Sequence, residues 1–185
     1  MEEEEGGRLT GWLDCLACLL AREDTRRCLA VSRESEEACE ALGAVLRGEA
    51  PAAAKAKACS CLARLALHLA REAGDLGSAS RALAEVSGCV MTDVLSGGEG
   101  SAAGEEECNG ACLLAHFLSD GLLLGVEEAE GVARAFTPML ARLVDVTQSI
   151  DLARQADRLR VAMEGAGCGA EPTAAAAAPE IPIGG

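Results

Sequence analysis

The sequence predicts an all-α protein, and three observations support this fold class. Half of the 185 residues are hydrophobic, and Ala and Leu, the strongest helix formers, are abundant among them. Residues that favour strands are scarce, with no Tyr, two Phe and one Trp. Apolar residues recur at the spacing of a helix face, and no stretch alternates as cleanly as a half-buried strand does.

The helices can be placed in order from their apolar stripes and from the residues that interrupt them. The first is predicted over residues 8–22, with Trp12 expected to anchor the core. Pro51 suits the first turn of a helix, whereas Pro138 is expected to kink its helix or split it in two. The other helices are predicted over 25–31 and 35–47 (as one kinked helix or as two), 52–73, 79–95, 109–124, 127–147 and 149–164.

These helices form one predicted domain over residues 8–167, which is long enough for a hydrophobic core. Residues 1–7 are an acidic stretch ending in Gly, and we expect them to be a disordered tail. Residues 96–107 contain only Gly, Ser, Ala and Glu, which predicts a flexible loop. Residues 168–185 are rich in Ala, Pro and Gly, and we expect a second disordered tail of low complexity.

Charge limits the classes of partner. The formal net charge is −14, which argues against binding to nucleic acid because that needs clustered Lys and Arg. We expect the partner to be another protein, with a basic segment of it as one option. The sequence has neither the pattern of a signal peptide nor a long apolar run, so we expect no membrane contact. The expected location is the cytoplasm, with the nucleus as the alternative.

Ten cysteines raise the question of metal or redox chemistry. Cys15 and Cys18 have a spacing like that of zinc ligands, as do Cys108 and Cys112 more loosely. Both pairs lie in stretches rich in Leu and Ala, where a reduced Cys behaves as a small buried hydrophobe. We therefore expect free thiols, no metal site and no cofactor. A thiol-based redox or metal-binding protein is kept as the alternative function.

The predicted helix over 52–73 returns in altered form later in the chain. This helix carries His68 among its apolar residues, and a similar stretch carries His116 at the corresponding position. A third stretch carries Arg160 there, so the three positions are 48 and then 44 residues apart. Each of the three is preceded by another apolar helix and a polar turn. A period in this range, made of helix pairs, is typical of a helical solenoid.

From about residue 39 to 167 the chain resembles armadillo and HEAT repeats, whose second helix carries the armadillo pattern A-L-x-N-L-A. Leu67-His68-Leu69-Ala70 matches the end of that pattern, and Ala115-His116-Phe117-Leu118 and Leu159-Arg160-Val161-Ala162 match it more loosely. His68, His116 and Arg160 stand where the family has the Asn that lines a peptide-binding groove. The resemblance implies a short solenoid, with a closed antiparallel helical bundle as the alternative fold.

The resemblance implies that His68, His116 and Arg160 line one groove that binds a partner protein, each at least partly exposed. The competing interpretation is that a His flanked by Leu is packed in the core. We expect no catalytic residues, because the sequence has no Gly-rich phosphate loop after a strand and no nucleophile elbow. The predicted function is therefore a non-enzymatic scaffold for protein–protein interaction.

Overall fold

The computed structural model describes residues 2–25, 34–96 and 104–167. Within these ranges the chain forms helices joined by turns and has no strand, so the predicted all-α class is confirmed. The helices are α1 (Glu2–Ala21), α2 (Glu34–Arg47), α3 (Ala52–Glu72), α4 (Leu76–Ser96), α5 (Glu105–Leu124), α6 (Ala129–Thr147) and α7 (Ile150–Gly165). Most of the predicted helix over 25–31, the centre of the predicted loop and the tail 168–185 lie outside the described residues.

Three helices begin three or more residues before their predicted positions. One is α5, which begins at Glu105 rather than at residue 109, inside the predicted loop over 96–107. Helix α1 begins at Glu2, so the stretch expected to be a disordered tail is helical from its second residue, as Glu is a good helix former. Helix α4 begins at Leu76, three residues early, because the side chain of Asp75 caps it. The backbone N–H of Ser78 donates to Asp75 Oδ1 at 3.0 Å. Hydrogen bonding with the side chain of Ser78, and then with this N–H, lowers the pKa of Asp75.

Pro138 does not split its helix, because α6 continues through it from Ala129 to Thr147. Proline lacks the N–H that would bond to the carbonyl one turn back. The break that the sequence allows at Pro138 therefore does not occur.

The packing of the helices follows their order in the chain. Helix α3 packs against α1, α2, α4 and α5, and α5 packs against α3, α4, α6 and α7. The remaining pairs are α2 with α4, α4 with α6 and α6 with α7. Among the described helices, none packs against a helix more than two places away in this numbering.

The core is built mainly from Leu, Ala, Val and Cys, as the composition predicts, together with the fully buried Phe117 and Phe136. Trp12, expected to anchor the core, is instead 49% exposed on α1. That helix packs against α3 alone among the described helices, so much of its surface has no neighbour within the described residues. None of the described helices combines the length and apolar character needed to cross a membrane.

Candidate binding face

His68 is buried, with 8% of its surface exposed, so the prediction that it is partly exposed is wrong. The reason is the position of α3, which is surrounded by four other helices. All the residues from Leu65 to Ala70 are buried in consequence. The alternative interpretation, a His packed among leucines, describes its position in the structure.

Arg160 is exposed on α7 and forms its ion pairs along its own helix. Its guanidinium donates to Asp157 Oδ1 at 2.8 Å and to Glu164 Oε1 at 2.5 Å. These partners are three and four residues away, the usual spacing for ion pairs on a helix surface. Arg160 is thus accessible to a partner protein, as predicted, but it does not face His116.

His116 lies at the surface of α5, with 43% of its side chain exposed, and its neighbour on α7 is Arg158. Arg158 Nη1 donates to His116 Nδ1 at 2.6 Å. Residues 158 and 160 are about 200° apart around a helix, so they point to nearly opposite sides. The repeat alignment therefore placed Arg160 on the helix that contacts His116, but on the side of that helix that points away from His116.

Asp120 connects these residues to α3. It lies one turn after His116 on α5 and is only 4% exposed. Arg71, at the end of α3, donates to Asp120 Oδ2, and Arg158 donates to Asp120 Oδ1 at 2.5 Å. His116 Nε2 is 3.8 Å from Oδ2. One buried carboxylate therefore links α3, α5 and α7.

The hydrogen bond from Arg158 determines the protonation of His116. A guanidinium can only donate, so His116 Nδ1 must accept and must carry no proton. The structure agrees with this, because burial lowers the pKa of His116 from its ordinary value. Asp120 raises that pKa, whereas the charges of Arg158, Arg71 and Arg64 lower it further. His116 is accordingly a neutral acceptor near pH 7.

Three arginines lie near His116, and we call them the cationic patch: Arg64, Arg71 and Arg158. The side chains of Arg71 and Arg158 are about half exposed, and Arg64 is exposed two turns before Arg71 on α3. Among the described residues, Arg64 has neither an ion pair nor a side-chain hydrogen bond. The patch and Asp120 together carry a local positive charge on a chain whose net charge is −14.

Sequence reasoning missed Asp120, Arg71 and Arg158 as site residues. One signal was present, since Asp120 interrupts the apolar stretch from Phe117 to Leu124 one turn after His116. Its partners could not be identified in the same way. They lie 49 and 38 residues away in the chain.

The largest described cleft lies elsewhere, where the start of α3 meets the end of α4 and the start of α5. Its volume is about 620 Å³, and its lining includes Lys55, Cys59, Cys89 and Asp93. Burial raises the pKa of Cys59 above its ordinary value, and burial likewise raises the pKa of Cys89. Both thiols therefore stay protonated at neutral pH and are weak nucleophiles.

The other described cysteines differ in exposure, and Cys15 and Cys18, interpreted above as small buried hydrophobes, are exposed on α1. The eight that the structure describes are all free thiols. Burial raises the pKa of Cys39, Cys61 and Cys112 as well. Within the described ranges, no three His, Cys, Asp or Glu side chains come together as metal ligands.

No protein-family model, curated protein or solved structure matches this chain. The functional argument therefore depends on the geometry of its own residues.

Proposed function

We propose that this protein is a non-enzymatic scaffold for protein–protein interaction, built as a short helical solenoid. It binds its partner along the surface of α3, α5 and α7. The observation that carries the proposal is the packing order of the described helices from α2 to α7, each of which contacts only those one or two places away within this set. Repeat proteins stack in this way, because each repeat contacts only its neighbours. A closed bundle would also bring helices distant in the chain together.

The pairing of the helices supports the same interpretation. The predicted repeats correspond to α2 with α3, α4 with α5 and α6 with α7, and both helices of each pair pack together. Their second helices, α3, α5 and α7, pack side by side in that order. In armadillo-like proteins the equivalent helices form the binding surface, so the resemblance supports this face as the contact region.

The polar residues of this face support protein binding rather than catalysis. His116 is accessible to a partner on this face, and Arg160 is exposed on another side of α7, whereas His68 is buried in the core. The exposed part of the site consists of guanidinium groups and a neutral imidazole, whose Nδ1 is already engaged by the hydrogen bond from Arg158. Such groups give specificity through hydrogen bonds and charge complementarity.

Site-specific photo-crosslinking tests this proposal. A photoreactive residue is placed at His116 or at the exposed Arg64 on the proposed face, and at Glu85 or Arg134 on α4 and α6 as controls away from it. We expect one partner to crosslink to the first two positions and not to the controls. Purified partner should then bind the His116→Ala variant more weakly than the Arg134→Ala variant. Crosslinks that form only from Glu85 or Arg134 would contradict the proposed face.

A further inference from the structure

We propose that the cationic patch of Arg64, Arg71 and Arg158 binds an acidic, carboxylate-bearing segment of the partner protein. This inference rests on the proposed function and specifies the chemistry of its partner. It also differs from what the net charge alone favours, since a chain with charge −14 is expected to attract basic partners.

Charge complementarity carries the first step. Two guanidinium groups, those of Arg71 and Arg158, lie at the carboxylate of Asp120, and the charge of a third, Arg64, acts on the adjacent His116, on a protein that is otherwise strongly acidic. An acidic segment is repelled by most of this surface and attracted at the patch. The acidic surface repels such a segment and the cationic patch attracts it, so the patch determines where the segment binds. Any shift of the segment along the surface brings its carboxylates next to other negative charges, which weakens binding.

The second step is the pre-organisation of two arginines. Asp120 is 4% exposed, and it accepts one N–H from Arg71 and one from Arg158. Each guanidinium carries five N–H donors, so most of them stay available at half-exposed positions. An incoming carboxylate meets these donors, because the oxygen atoms of Asp120 are buried behind them. Guanidinium groups held in place also bind a planar carboxylate with less loss of entropy.

The third step is the size of the patch. Arg64 and Arg71 are seven residues apart on α3, which separates their backbone positions by about 10 Å. Arg158 contributes from α7, across α5. In an extended chain, alternate side chains on one face are about 7 Å apart. Two or three acidic side chains of an extended segment therefore match this spacing better than one small anion does.

A direct binding experiment tests the inference without a known partner. The probe is a fluorescein-labelled decamer of glutamate, titrated with the full-length protein at low ionic strength and followed by fluorescence anisotropy. We expect Arg64→Ala to weaken binding about tenfold, since a hydrogen bond to a charged group is worth about 1.5–3 kcal/mol. Arg64 has no ion pair among the described residues, so its loss should leave the Asp120 contacts intact.

Two controls accompany this titration. Arg134→Ala removes a comparably exposed arginine from α6 and should change the affinity less than twofold. A labelled lysine decamer should bind through the overall negative charge, and Arg64→Ala should not weaken it. Oligoglutamate that fails to bind, or that binds the wild type and Arg64→Ala equally, would overturn the inference.

Phosphate competition separates two sources of negative charge. If millimolar inorganic phosphate displaces oligoglutamate while millimolar acetate does not, the patch prefers phosphate and the inference fails. The proposed function is tested separately, by the crosslinks from His116 and Arg64. If a partner binds that face through a basic or apolar segment, the proposed function stands and this inference alone is wrong.

Discussion

Asp120 is almost completely buried, and Arg71 and Arg158 supply the hydrogen bonds that compensate for its removal from water. Burying a carboxylate costs several kcal/mol unless partners satisfy it. The two arginines are themselves about half exposed, so solvent screens part of each interaction. Either arginine can therefore partly compensate for the loss of the other.

This arrangement predicts non-additive mutations. Arg71→Ala or Arg158→Ala alone should destabilise the fold by about 1 kcal/mol, because one partner of Asp120 remains. The double variant should lose about 3 kcal/mol or more, because a buried carboxylate is then left without a partner. Urea unfolding at pH 7 measures both values. Adding Asp120→Asn to the double variant should restore part of the lost stability. If the double variant loses only the sum of the two single losses, Arg71 and Arg158 do not share the role of stabilising Asp120.

His116 predicts a pH dependence with a defined sign. Its pKa is lower in the folded than in the unfolded protein, so the unfolded state takes up the proton first as the pH falls. The contribution of His116 to stability is therefore complete above about pH 6.5 and declines as the pH drops below that value. His116→Asn, whose amide oxygen can accept from Arg158, should remove this decline. Urea unfolding midpoints of the wild type and the variant at pH 7.5 and 5.5 test this prediction. If the midpoint falls as much between the two pH values in His116→Asn as in the wild type, His116 is not the cause of the decline.

At the scale of single elements, the end of α5 is determined by a glycine. Gly125 has a φ of +76°, a conformation that other residues adopt only with strain. Its N–H bonds the carbonyl of Leu122 at 3.2 Å, and the N–H of Val126 bonds that of Gly121 at 2.9 Å. This pair of bonds is the Schellman motif, which satisfies carbonyls that the helix leaves without partners.

Two glycine substitutions should change stability in opposite directions. Gly88 lies in the interior of α4, and a methyl group added there has nothing within 4 Å. Gly88→Ala should therefore stabilise the protein by about 0.5–1 kcal/mol. Gly125→Ala should destabilise it by about 1 kcal/mol, because Ala is strained at positive φ. Thermal unfolding compares the two, and a destabilised Gly88→Ala would show that α4 has no room at that position.

At the scale of the whole molecule, the helices differ in how many neighbours hold them. Helices α3, α4 and α5 each pack against four others, whereas α7 packs against two and α1 against one among those described. Stability in a stack of repeats is a sum of local terms and interfaces between neighbours. Helices at the ends should therefore open at lower free energy than those in the middle.

Native-state hydrogen exchange measures this gradient directly. We expect amides of α3 and α5 to exchange only through global unfolding, and those of α1 and α7 to exchange through local opening. Protection should decrease outward from the centre, because each end helix loses fewer contacts when it detaches. Equal protection in all helices would favour a cooperative closed bundle over a solenoid.

The sequence by itself determined the helical class and the approximate position of most helices. Those features depend on local properties, namely helix propensity, an apolar stripe with helical period, and turn residues such as Gly125. Even there, the predicted start of α4 was three residues late. Both Asp75 and Ser78 are residue types that cap helices, and in the structure Asp75 is the cap, because it accepts the backbone N–H of Ser78.

Only the tertiary structure decided which polar residues meet. An apolar stripe shows which face of a helix points inward, but not which residues on neighbouring helices lie at the same height. Arg158 and Arg160 are two positions apart in the chain, yet only Arg158 reaches His116 and Asp120. The burial of His68 likewise depends on the four helices around α3, and that packing forms only when distant parts of the chain come together.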